Sequence, residues 1–147
     1  MHNKKGFTVI EIIIVIAIIA ILSAIILSNV ASYVKKSRDA AIKSTMNQIR
    51  AEANKFYLAD PNSQTFFAFC EQGSPCYNMT QEILENNGQQ SIPSGGLSYF
   101  GSVNHFCMVS YLNEKVDGTN LFWCVDDSGF AGIVADFNYC GNNGTCE

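Results

Sequence analysis

Residues 7–27, "FTVIEIIIVIAIIAILSAIIL", decide most of what this chain can become. Only Thr8, Glu11 and Ser23 break the run of apolar side chains. At about 1.5 Å per residue, 21 residues reach about 31 Å, the hydrocarbon thickness of a bilayer. A secretory signal peptide has a shorter apolar part and a small-x-small cleavage site. Here Leu22-Ser23-Ala24 places Leu where a small residue is needed. The segment therefore reads as one that stays with the protein, a single membrane-spanning helix. A carboxylate within such a helix costs on the order of 2.5–3.5 kcal/mol at mid-bilayer, which makes Glu11 a functional candidate by default. A bland alternative is that Glu11 lies close enough to the membrane edge to reach water.

The six cysteines, at 70, 76, 107, 124, 140 and 146, all follow the span. An even set confined to one side of an apolar helix predicts three disulfides in an oxidising compartment. That places the C-terminal part outside the cytoplasm. Charge does not decide the topology, because Lys4 and Lys5 precede the span while Lys35, Lys36 and Arg38 follow it. The net charge of −4 conceals a division between the parts. Residues 12–55 carry six Lys/Arg against Asp39 and Glu52, whereas residues 56–147 carry Lys115 against ten acids. A basic helix joined to an acidic head favours staggered self-association.

Neither Pro nor Gly occurs between Gly6 and Asp60-Pro61. Ile42, Met46, Ile49, Ala53 and Phe56 form one apolar stripe at helical spacing, and Lys36, Lys43 and Arg50 recur every seven residues along its flank. These patterns predict one helix of about 50 residues, roughly 75 Å long, that ends before Pro61. Residues 62–78 read as an aromatic loop. Residues 79–87 read as a short helix with Asn78 or Thr80 as cap and Gly88 as stop. "SIPSGG" is a turn, and strands are expected at 97–102, 105–112, 121–125 and 130–136. The fold class is α+β: a long helix whose C-terminal half covers a small antiparallel meander of three or four strands.

Six cysteines allow fifteen pairings. Pairing of sequence neighbours predicts Cys70 with Cys76, Cys107 with Cys124, and Cys140 with Cys146. Cys107 and Cys124 would bridge adjacent strands about a hairpin centred near residues 115–116. Chain entropy gives roughly 2.4 kcal/mol for a small loop and roughly 3.2 for the larger.

"KKGFTVIEIIIVIAIIAIL" resembles the class III signal of type IV pilins and pseudopilins: a basic pair, Gly, Phe-Thr, two aliphatics, Glu, then a long aliphatic run. The resemblance implies cleavage after Gly6 by a prepilin peptidase, methylation of the new N-terminus at Phe7, and a role for Glu11 in assembly. It implies a leader at 1–6, a helix at 7–60 (filament core 7–27, amphipathic 28–60) and a disulfide-stapled head at 61–147. The six-residue leader suits the shorter-leader branch of the family. Ser28 and Ala20 stand where family members often carry proline and glycine, and both favour unbroken helix. The partners implied are identical subunits in a helical filament, the peptidase, the inner-membrane assembly machinery and, before assembly, the membrane. The localisation implied is a single-pass inner-membrane precursor, then an extracellular pilus or a periplasmic pseudopilus.

Independently of the family, an α-amino cation at Phe7 would lie four residues from Glu11. Pairing of amine and carboxylate in a low-dielectric bundle would select cleaved subunits and set their register. Glycine at the cut keeps the backbone extended and approachable.

Other chemistry is weaker. His105 and Cys107 share a strand face, but a disulfide at Cys107 consumes the thiol, so no enzyme is expected. Two C-x5-C loops are not zinc spacing, and neither metal nor cofactor is expected. Asp117, Asp126, Asp127 and Asp136 could hold calcium, but solvated turn acids are the simpler reading. Asn78 and Asn143 lie in N-x-T sequons. The acidic head opposes nucleic acid as a direct partner, so Lys36, Lys43 and Arg50 are expected to pack on neighbouring subunits. Two rival functions remain, a pseudopilin of type II secretion or DNA uptake and a single-span anchored binding domain.

Overall fold

The computed structural model describes residues 6–59, 65–88, 97–138, 140 and 144–146. Lys4, Lys5, Pro61, the 91–96 turn and Asn143, all used in the sequence reading, lie outside the described residues. The chain forms two compact units, Met1–Val34 and Lys35–Glu147.

The first helix, α1 (Val9–Ala59), contains no Pro or Gly, and it stays helical through Ala20 and residue 28. Within the first unit every described side chain from residue 6 to residue 27 is exposed. It holds the stretch long and apolar enough to cross a membrane. Nothing in its own unit covers Ile10, Ile14, Ile18, Ile21 or Ile25. An apolar helix exposed all round needs lipid or other helices as its solvent.

In the second unit the continuation of α1 buries Ile42, Met46, Ile49 and Ala53 at 1 % exposure or less. Each large side chain contributes about 1.5–3 kcal/mol of transfer free energy. The stripe then shifts by one position. Phe56 is 42 % exposed, and Tyr57 instead stacks on Phe66 with centroids 4.8 Å apart. Residue 57 stands one helical step of four from Ala53, so it continues the buried face where Phe56 begins to leave it.

Helix α2 (Pro75–Asn87) starts four residues earlier than expected. Ser74, not Asn78 or Thr80, is the N-cap, accepting from Tyr77 N at 3.1 Å, and Pro75 occupies the first turn, where its missing N–H costs nothing. Gly88 ends α2 at φ 76°, as expected of a glycine stop.

Strands β1 (Leu97–Gly101), β2 (Phe106–Val116), β3 (Thr119–Asp126) and β4 (Ala131–Val134) pair antiparallel in the order β1-β2-β3-β4. The β2–β3 turn uses Asp117 (φ 50°) and Gly118 (φ 79°), the two left-handed positions of a type I′ hairpin. The sheet is buried on both faces. Phe106, Met108, Leu112 and Val125 meet the α1 stripe, α2 and the 65–74 loop. Val109, Phe122, Val134, Cys107 and Cys124 lie under Cys140, Cys146 and Phe137. This second core is why β2 is buried continuously from Phe106 to Ser110 instead of alternating.

Candidate functional site

Thr8 and Glu11 open α1 with a reciprocal capping box. The Thr8 hydroxyl accepts from Glu11 N at 3.3 Å, while Glu11 Oε2 accepts from Thr8 N and Thr8 Oγ1, each at 2.9 Å. Two backbone N–H groups of the helix start, and the Thr8 hydroxyl, are thereby satisfied without any partner molecule. The pattern Thr-x-x-Glu before an apolar run was the available signal, which a focus on charge burial misses. Glu11 Oε1 makes no hydrogen bond among the described residues, so one carboxylate oxygen is left to accept from an amine. Gly6 has nothing within 4 Å of where a Cβ would sit, so no packing contact demands glycine there.

The disulfides depart from the neighbour pairing. Cys70 joins Cys76, with Cα atoms 4.9 Å apart. Cys107 joins Cys140 rather than Cys124, and Cys124 joins Cys146, so Cys140 and Cys146 are not paired with each other; the Cα separations are 5.4 and 5.9 Å. The hairpin register explains the correction. Val116 faces Thr119 across the two-residue turn, and an irregularity between Tyr111 and Lys115 shifts the pairing. Val109 consequently faces Cys124 while Cys107 faces Asp126, so the two cysteines are diagonal neighbours. Both then point to the outer face and pair with the C-terminal segment above them. The loops closed span 33 and 22 residues, worth about 3.5 kcal/mol each. The sulfurs of Cys107, Cys124 and Cys140 come within 4.8 Å of one another because two disulfides lie side by side. All six cysteines are bonded, so no thiolate is present to act as nucleophile or ligand.

The acidic residues divide by task. Asp126, expected as a solvated turn acid, is fully buried: its Oδ1 accepts from Ser128 Oγ (2.7 Å) and Phe130 N (3.0 Å), and its Oδ2 from Cys146 N (2.9 Å). It ties the β3–β4 turn to the C-terminal disulfide. Asp127 Oδ1 accepts from Phe106 N at 2.8 Å, and its Oδ2 lies 3.5 Å from His105 Nδ1. Asp136 Oδ1 accepts from Asn138 N at 3.0 Å, and Asp117 is exposed at the hairpin tip. Three of the four carboxylates hold separate backbone groups, and Asp117 faces solvent. Asp39, which the sequence reading passed over, is 2 % exposed. It accepts from Asn113 N (2.6 Å), Asn113 Nδ2 (2.8 Å) and Glu114 N (2.9 Å), clamping β2 to α1.

The basic flank of α1 serves its own fold. Lys43 Nζ stands 5.2 Å over the Trp123 ring, and Arg50 Nη1 donates to the carbonyls of Gly129 (2.7 Å) and Phe130 (3.3 Å). Lys36 approaches Glu114 at 3.9 Å. Lys43 and Arg50 are thus engaged within the chain, by the Trp123 ring of β3 and the carbonyls of the β3–β4 turn, while Lys36 stays exposed. In the first sequon Asn78 is exposed on α2, while Thr80 is buried and donates to Tyr77 O at 2.7 Å.

The family model of the prokaryotic N-terminal methylation motif matches residues 1–27, the segment that carries Gly6, Phe7, Thr8 and Glu11. The chain is similar to the type IV wide pilus major component PilA4 of Thermus thermophilus, with 32 % identity over 131 residues, 88 % of this chain and 87 % of that protein. No solved structure matches with significance. A methylation motif ahead of an uncovered apolar helix, a helix-covered four-stranded meander and likeness over most of the length to a pilus major component place the chain in the type IV pilin family.

Proposed function

We propose that the chain is cut between Gly6 and Phe7 by a prepilin peptidase, methylated on the Phe7 amine, held in the inner membrane by one span and then polymerised through α1 into a pilus. The role is structural, with no turnover chemistry. The observation that carries this reading is the start of α1. A capped carboxylate with one unused oxygen opens a helix whose apolar surface is exposed along residues 9–27. Extraction from lipid keeps its hydrophobic cost small, because the same side chains are buried again against identical helices. In the packed bundle the Glu11 carboxylate accepts from a neighbour's Phe7 amine, a charge-assisted pair that only a cleaved subunit can make. Similarity to a pilus major component favours a surface pilus over a pseudopilus.

The test is Glu11→Gln compared with Thr8→Val. Gln at the third helical position still closes a capping box but carries no charge. Glu11→Gln is expected to insert in the membrane and lose fibres, while Thr8→Val frays the helix start and retains assembly. Normal fibre yield from Glu11→Gln would contradict the assigned role.

A further inference from the structure

The described cations of the globular unit fall into two groups. Lys43, Arg50 and Lys55 are engaged on the fold, with Trp123, the Gly129 and Phe130 carbonyls, and Glu52 respectively. Lys35, Arg38 and Lys115 have no acidic partner among the described residues, and Lys36 reaches Glu114 at 3.9 Å with both side chains well exposed. These four lie at one end of the unit. Strand β2 runs along α1 in the opposite sense: Phe106 packs beside Phe66, which stacks on Tyr57, whereas Asn113 and Glu114 are bound to Asp39. The hairpin tip beyond Glu114 therefore comes out where α1 enters at Lys35. There Lys115 and Val116 are exposed, with Val116 at 56 %.

That end is also where the chain emerges from the bilayer. With the span over residues 7–27, residues 28–34 carry the helix about 10 Å past the hydrocarbon edge and through the headgroup layer. Tyr33 lies in that interfacial band, 71 % exposed, and Lys35, Lys36 and Arg38 come next. Cations on the outer side run against the positive-inside bias. We propose that Lys35, Lys36, Arg38 and Lys115, with Val116 beside them, form a docking surface for anionic phospholipid headgroups, occupied while the subunit waits in the membrane. Each Lys or Arg held near an anionic surface strengthens the contact about fivefold, and salt weakens it. The inference rests on the membrane-inserted precursor of the proposed function and not on polymerisation, so a chain that inserts but never forms fibres leaves it standing.

The test is amide hydrogen exchange of residues 113–120 in the full-length chain, one copy per lipid nanodisc. Discs of pure phosphatidylcholine are compared with discs containing phosphatidylglycerol. The expected result is exchange about tenfold slower or more in the anionic discs. That protection should be lost in about 0.5 M salt and in the exposed triple variant K35Q/K36Q/R38Q. Equal exchange in both lipids overturns the proposal. So does protection that appears only when two copies share a disc regardless of lipid, which would assign the surface to an acidic face of a second subunit.

Discussion

At the residue scale, single carboxylates carry more of this protein than their number suggests. Asp126 and Asp39 each satisfy donors from distant parts of the chain, so their loss strands buried N–H groups. Asp126→Ala is expected to cost about 3 kcal/mol in denaturant unfolding and to raise the fraction of Cys107 mispaired with Cys124, read by peptide mapping of disulfides. Asp39→Ala should cost about 2–4 kcal/mol while the disulfide pattern stays native. Tyr99 gives a pH signature. Burial of its ring against Phe106 pushes its pKa up to about 12, and its hydroxyl donates to Phe66 O. The folded state keeps that proton longer than the unfolded chain does. The contribution is therefore fully present below pH 10 and is lost as pH rises toward 12. Tyr99→Phe should unfold over a less steep alkaline transition, followed through tyrosinate absorbance. None of these roles was legible in the sequence. A carboxylate near a turn looks the same whether it faces water or three buried donors.

At the element scale much was legible, because periodicity reports which face is covered. Ile42, Met46, Ile49 and Ala53 announced the buried side of α1, and alternating runs placed four strands within a few residues of their positions. Met46→Ala or Ile49→Ala should cost about 2–5 kcal/mol, since each is fully buried between helix and sheet. Register was not legible. It depends on where the hairpin turns and on the irregularity between Tyr111 and Lys115, and a shift of two residues changes which cysteines can meet. The start of α2 was readable in principle, because Ser74-Pro75 is a helix-start signal; the bracketing cysteines drew that stretch into the loop instead.

At the scale of the whole molecule, two kinds of core coexist. The globular unit closes both faces of its sheet, one with α1, α2 and the 65–74 loop and the other with a C-terminal segment stapled by two disulfides. Reduction should release that segment and expose Val109, Tyr111 and Phe122, so reduced protein is expected to unfold at markedly lower denaturant concentration. The outer core could not be foreseen while the C-terminal cysteines were paired with each other. Residues 9–27, by contrast, are covered by nothing in their own unit and so require another environment. The measurement that tests this most directly is intact mass with N-terminal peptide analysis of the native protein, taken from membrane and sheared-surface fractions. The account predicts a mature chain beginning at methylated Phe7 in the sheared fibres. A chain still carrying residues 1–6, found in membranes and absent from the surface fraction, would contradict it.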